Sequence, residues 1–178
     1  MTPPEFSRPI ALDTLGEALR AVAIDADSGE RAALAERFGL IEIASLHAEA
    51  RLRREGDTVF AEGRVMAAVT QTCIASGAPV AASVDEAFSL QFRPMPSGTS
   101  DEEIELGESE LDVTFYEGGA IDLGEAAAET LALALDPYPR APEAEATLDA
   151  AGVKSEEEAD PPSPFAAALA ALKGKLKP

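Results

Sequence analysis

Cys73 and His47 are the one thiol and the one imidazole of the chain. A thiolate forms at neutral pH beside a base, so together they would make a nucleophile and its activator. No third group that would orient the base can be picked out. His47 alternates with Glu49 and Arg51 on the polar side of a two-residue period, which reads as a surface position, and Cys73 reads as a small hydrophobe near a strand end. A second constellation is the run Asp101, Glu102, Glu103, Glu105, Glu108, Glu110 and Asp112. Paired carboxylates can exchange protons or hold Ca²⁺ or Mg²⁺, but the Asp-x-Asp-x-Asp-Gly spacing of a calcium loop is missing. Such a run is a solvated face, and its functional use is attraction for a Lys/Arg-rich protein. Gly118-Gly119 before a helix has the look of a phosphate cradle, yet the glycine-rich fingerprint is absent and Glu117, Asp122 and Glu125 would repel the anion. Candidate phosphate contacts are instead Arg51, Arg53, Arg54 and Arg64 on one ribbon, with Lys173, Lys175 and Lys177 at the C-terminus. Those lysines equally complement the carbonyl end of a helix.

Charge decides between these chemistries. The 178 residues carry 33 acids against 14 bases, a formal net charge of −19, and no Lys or Arg occurs between Arg93 and Arg140. Nucleic-acid binders normally present a basic patch that displaces counterions from phosphates, so RNA binding by that half is disfavoured and a basic protein partner is favoured. One Cys and one His exclude a disulfide framework and a closed Cys/His zinc site, so neither metal nor cofactor is expected. No stretch reaches the ~20 apolar residues of a membrane helix. Pro3, Pro4, Glu5 and Phe6 give no leader signature, so a soluble cytoplasmic protein is expected.

The elements that would position these residues follow from period and punctuation. Phe6 to Leu12 reads as extended around Pro9. Asp27 with Glu30 forms a capping box and Gly39 a stop, predicting a helix over 28–38. Leu46, Ala48, Ala50 and Leu52 alternate with polar residues, Glu55-Gly56-Asp57 turns, and Val59 to Val69 alternate in return, which is an antiparallel hairpin. A third strand follows Gly77-Ala78-Pro79 with Val80, Ala82, Val84, Phe88, Leu90 and Phe92 inward and Glu86 as the misfit. A fourth strand holds Leu111, Val113 and Phe115. Asp122 with Glu125 starts an Ala/Leu-rich helix that Asp136-Pro137 stops. Residues 1–140 are therefore expected as one α+β domain with a mainly antiparallel sheet, a few short helices and an acidic loop. The Ala/Glu/Pro-rich segment 141–162 reads as a linker, and 163–178 as a C-terminal amphipathic helix whose stripe is Phe165, Leu169, Leu172 and Leu176.

The combination of Gln71-Thr72-Cys73, Ile121-Asp122-Leu123-Gly124-Glu125 with Glu129, the run Leu131 to Pro137, and the tail from Pro162-Ser163-Pro164-Phe165-Ala166 to Leu172-Lys173 resembles the YceD family, the large ribosomal RNA subunit accumulation proteins. Phe6-Ser7-Arg8 and Glu30-Arg31-Ala32-Ala33-Leu34-Ala35 look like its alphaproteobacterial branch. The resemblance implies a bacterial cytoplasmic protein that supports accumulation of the large-subunit RNA, with no established catalytic activity. Many members carry a Cys-x-x-Cys pair and a later Cys that suggest a metal site; here Ser76 stands at the second position and Pro139 to Glu145 contains no Cys, so metal binding does not carry over.

The expected function is a non-enzymatic ribosome biogenesis factor whose acidic surface engages a basic ribosomal protein or large-subunit assembly intermediate. Asp101, Glu102, Glu103, Glu105 and Glu108 would make the charged contact and Phe165, Leu169 and Leu172 would anchor it. The alternative is a direct ribosomal-RNA-binding module using the hairpin arginines and the tail lysines. A hydrolase or thiol enzyme centred on Cys73 is the remaining competitor.

Overall fold

Three long alternating runs, each too polar on one side to be buried on both, call for a sheet that covers a core with one face only. The structure, a computed structural model that describes residues 4–96 and 112–153, builds such a sheet. In chain order it has β1 (Pro9–Ala11), a 3-10 turn (Leu12–Thr14), β2 (Arg20–Asp25), α1 (Ser28–Phe38), β3 (Glu42–Glu55), β4 (Thr58–Thr72), β5 (Pro79–Pro94), β6 (Val113–Tyr116), β7 (Ala120–Asp122), α2 (Leu123–Ala134) and α3 (Ala144–Ala150). The main sheet runs β2-β3-β4-β5-β6, and β1 pairs with β7 in a separate two-stranded ribbon. This is a single-domain α+β fold.

The β3–β4 hairpin falls where the alternation placed it. Leu46, Ala48, Ala50 and Leu52 are buried opposite Ala67, Val65, Gly63 and Ala61, and Gly56 makes the turn at φ +60°. The inner face packs on α1 and α2. On α1, the Asp27 carboxylate accepts the N–H of Gly29 and Glu30, Glu30 returns a bond to the Asp27 N–H, and Gly39 closes the helix in the left-handed region at φ +66°. On α2, Leu123, Ala127 and Leu131 are wholly buried, and burying a leucine of this kind stabilises by roughly 1.5–3 kcal/mol.

Two features depart from the sequence reading, and a third, the direction of β6, is one it left open. Strand β2 was not anticipated: Arg20 to Asp25 is short and alanine-rich, and only Val22 and Ile24 turn toward the core. Strand β6 joins the last residues of β5 in parallel, Gln91 opposite Val113, because the chain between Pro94 and Val113 is long enough to come back to the level of Gln91. The segment 141–162, expected as a linker, carries α3 in its described part. Ala141 and Ala144 are buried against Cys73 with Ala75, Ala78 and Val80 around them, so small side chains find a small-residue niche that composition does not reveal.

The N-terminal segment is clamped by charge. Arg8 forks onto Glu30 at 2.6 and 2.8 Å and also donates to the carbonyls of Ser7 and Asp25. The guanidinium of Arg8 holds the Glu30 carboxyl below its ordinary value, against an opposing effect of burial. The ionised form therefore contributes stability above the ordinary carboxylate pKa, and that contribution is lost as pH falls through the lower folded value. Glu30→Gln is expected to reduce stability at neutral pH by about 1 kcal/mol and to flatten the acid side of the stability profile. Urea midpoints at neutral pH and at about pH 3 check this, the gap between variant and parent closing at the acid end.

Candidate functional site

The outer face of the sheet holds the ribbon arginines, and there they are matched by carboxylates. Arg51 lies opposite Glu62 and Arg64 opposite Glu49 across the β3–β4 ladder, a two-by-two checkerboard. Arg64 also pairs with Asp85 on β5 at 3.2 Å. Arg53 stacks over the Phe60 ring at 4.2 Å and pairs with Glu55. Arg54 turns to the other side, donating to the carbonyls of Leu12 at 3.0 Å and Gly56 at 2.7 Å, with Asp57 beyond at 3.6 Å. Arg54 thus ties the 3-10 turn to the hairpin. A shallow depression of about 540 Å³ on this face is lined by Ala21, Ala23, Glu49, Arg51, Glu62 and Arg64, a surface of mixed sign.

His47 and Cys73 are not brought together. The imidazole bonds Asp25 at 2.8 Å on the outer face, opposite Met66. Cys73 lies seven residues further along the chain, roughly 20 Å away at strand rise. The thiol is 2% exposed, and its sulfur accepts the N–H groups of Ala141 at 3.3 Å and Ser76 at 3.4 Å. These donors, the Ala141 N–H foremost, pull the thiol pKa down to about 7 against the opposing effect of burial. Whether this loop could hold the metal suggested by the Cys-x-x-Cys pattern can be judged from its donors. Ser76 offers the thiol a backbone N–H, and its own hydroxyl accepts the N–H of Ala78 at 3.3 Å. The facing segment contributes the N–H of Ala141, a hydrogen-bond donor and not a metal ligand. Among the described residues no group of three His, Cys, Asp or Glu converges. The residues present do not fit a metal.

The N-terminus of α2 is likewise closed to phosphate. Asp122 accepts there from the N–H of Gly124 at 3.0 Å and Glu125 at 3.2 Å, so a carboxylate of the chain itself occupies the anion position. Glu125 does not return to its cap; it pairs with Arg37 of α1 at 2.7 Å.

Further carboxylates, Glu125 among them, gather on the side of α2 that faces β5 and β6. A depression of about 350 Å³ is lined by Glu86, Phe88, Leu90, Asp112, Thr130 and Leu133. A second, about 310 Å³, continues along the helix between Phe92, Phe115, Glu117, Glu125 and Glu129. Burial and the neighbouring Glu125 raise the Glu129 pKa, with Arg37 opposing. Leu133 is 89% exposed whereas Leu131 is 0%. Two residues along a helix is more than half a turn, so the Leu-Ala-Leu-Ala-Leu run could not bury both, and that was the available sign of an exposed leucine.

The acidic residues Asp101, Glu102, Glu103, Glu105 and Glu108 lie outside the described residues, as do Phe165, Leu169, Leu172, Lys173, Lys175 and Lys177. The two ends of the acidic segment are described. The N–H of Met95 bonds the Tyr116 carbonyl at 2.9 Å, and the Asp112 carbonyl accepts from Gln91 at 2.8 Å. The segment therefore departs from and returns to one short β5–β6 pairing, beside the carboxylate-lined depressions.

No helix among the described residues is long and apolar enough to cross a membrane. The family model described as YceD: Large ribosomal RNA subunit accumulation protein matches residues 61–173, well over half of the chain. No curated protein and no solved structure gives a significant match.

Proposed function

The chain belongs to the YceD family of large ribosomal RNA subunit accumulation proteins, and on that premise we propose that it is a non-enzymatic, cytoplasmic assembly factor that binds a basic ribosomal protein or large-subunit intermediate through its carboxylates. The observation that carries this reading is an asymmetry of pairing. The described hairpin arginines are interleaved with acids or spent on backbone carbonyls. The depressions beside α2 are lined by Glu86, Asp112, Glu117 and Glu129, which have no matching cation in their lining. A basic partner gains from such a surface in on-rate and in specificity. Reversal of Asp101, Glu102, Glu103, Glu105 and Glu108 to lysine is expected to abolish co-sedimentation with assembling large subunits. Association that is unchanged by the reversal, and equal at low and high salt, would refute the reading.

The second reading, direct RNA contact, is supported by Arg51 and Arg64, which remain exposed on the open face. A salt titration with bare ribosomal RNA separates the two, since phosphate contacts give log affinity a steep negative slope in log salt. Tight, salt-sensitive binding lost in Arg51→Ala/Arg64→Ala would favour it.

A further inference from the structure

Glu86 interrupts the apolar side of β5, and Leu133 leaves the buried side of α2. Both residues line the same depression. Its floor is Phe88 and Leu90, its far wall Thr130 and Ala134 of α2, and Asp112 stands on the rim. Glu129, one residue before Thr130, belongs to the next depression, whose lining includes Phe92 and Thr114. The two therefore succeed each other along one side of α2, from Glu125 to Ala134, a length of about 14 Å at helical rise. Together they make an apolar trough with acidic edges, and none of the described residues lining it is Lys, Arg or His.

This composition specifies an occupant. A leucine that is almost wholly exposed beside a hydrophobic floor gains by removal from water, and carboxylates along the rim gain by meeting cations. A purely apolar segment would desolvate Glu129 and Glu86 without compensation, and an acidic one would be repelled. We propose that the trough between α2 and the β5–β6 edge is the docking site for a cationic amphipathic segment of a basic protein partner, with leucine-sized side chains meeting Leu133, Leu90 and Phe88, and Lys or Arg meeting Glu86, Asp112 and Glu129. This rests on the reading that the partner is a basic protein, and it assigns the surface used. The two ends of the acidic segment, Met95 and Asp112, are hydrogen-bonded at that edge, and the net negative charge of the chain favours the approach of a cationic segment.

The test is titration of the intact chain with a synthetic peptide that presents leucines at helical spacing and lysines between them, against a control with glutamate in place of lysine. The lysine peptide is expected to bind, more weakly at high salt, and the glutamate peptide not to bind. Leu133→Glu is expected to weaken binding by about tenfold or more without loss of stability, because the side chain it replaces is already in water. Glu86→Lys with Glu129→Lys is expected to weaken it further and to flatten the salt dependence. Affinity unaltered in both variants overturns the assignment. So does binding that appears only after removal of residues 163–178, since the trough would then belong to the tail of the chain itself. If Leu133→Glu leaves co-sedimentation intact while reversal of the Asp101–Glu108 acids abolishes it, the trough assignment fails and the broader function stands.

Discussion

Asp122→Ala is expected to destabilise the protein by about 3 kcal/mol, more than a helix cap ordinarily contributes. The reason is that one carboxylate serves two structures. Its Oδ1 accepts the N–H groups of Gly124 and Glu125 at the start of α2, and also the Arg8 N–H at 2.8 Å. Its Oδ2 accepts the Ser7 hydroxyl at 2.5 Å. Removal leaves helix donors and a donor of the N-terminal strand unsatisfied in one step, and the β1–β7 ribbon, where Pro9 lies opposite Asp122, loses its lock. Asp122→Asn keeps an acceptor at Oδ1, loses the charge, and reverses the Ser7 bond so that the amide donates to the hydroxyl oxygen, so its loss should be less than half as large. Chemical denaturation of the three proteins checks the order; equal losses for Ala and Asn would show that charge, not the acceptor, matters.

Gly63→Ala is expected to cost about 3 kcal/mol, at the upper end for an added methyl group in a packed core. A Cβ at residue 63 would stand 2.2 Å from the Glu49 carbonyl oxygen and 2.6 Å from the Phe88 ring. Both distances are far inside contact, but they differ in kind, since a ring can turn away and a paired backbone cannot. Trimming the ring with Phe88→Ala should therefore not rescue Gly63→Ala, because the collision with β3 remains. A double-mutant cycle measured by thermal or urea unfolding tests this. Recovery of parental stability in the double variant would locate the strain in the ring alone.

Much of the fold was legible because period and punctuation are local. Asp27, Glu30 and Gly39 marked α1 by hydrogen bonds that span at most four residues, and the structure starts and stops the helix there. The β3–β4 hairpin followed from alternation on either side of Gly56, which a two-residue period fixes to one face. Strand β2 escaped because six residues with two inward side chains carry too little signal, and they become a strand only when Leu52, Ala50 and Ala48 of β3 offer an edge. The parallel join of β6 escaped for a related reason, since direction of pairing depends on a return path and not on the residues paired.

The candidate site divides the same way. Sign and composition, including the arginine count on the hairpin and the acid run from Asp101, are properties of the chain as a string and needed no coordinates. Whether an arginine is available is different: Arg54 was spent on the Leu12 carbonyl and Arg64 on Asp85, partners 42 and 21 residues away. The sequence alone settled which residues alternate, which helices begin and end, and that negative charge dominates, because each depends on neighbours a few bonds apart. Tertiary structure alone decided that Ala141 closes over Cys73, that Leu133 faces water, and that Glu86, Asp112 and Glu129 border one trough, because those outcomes depend on which distant surfaces compete for the same space.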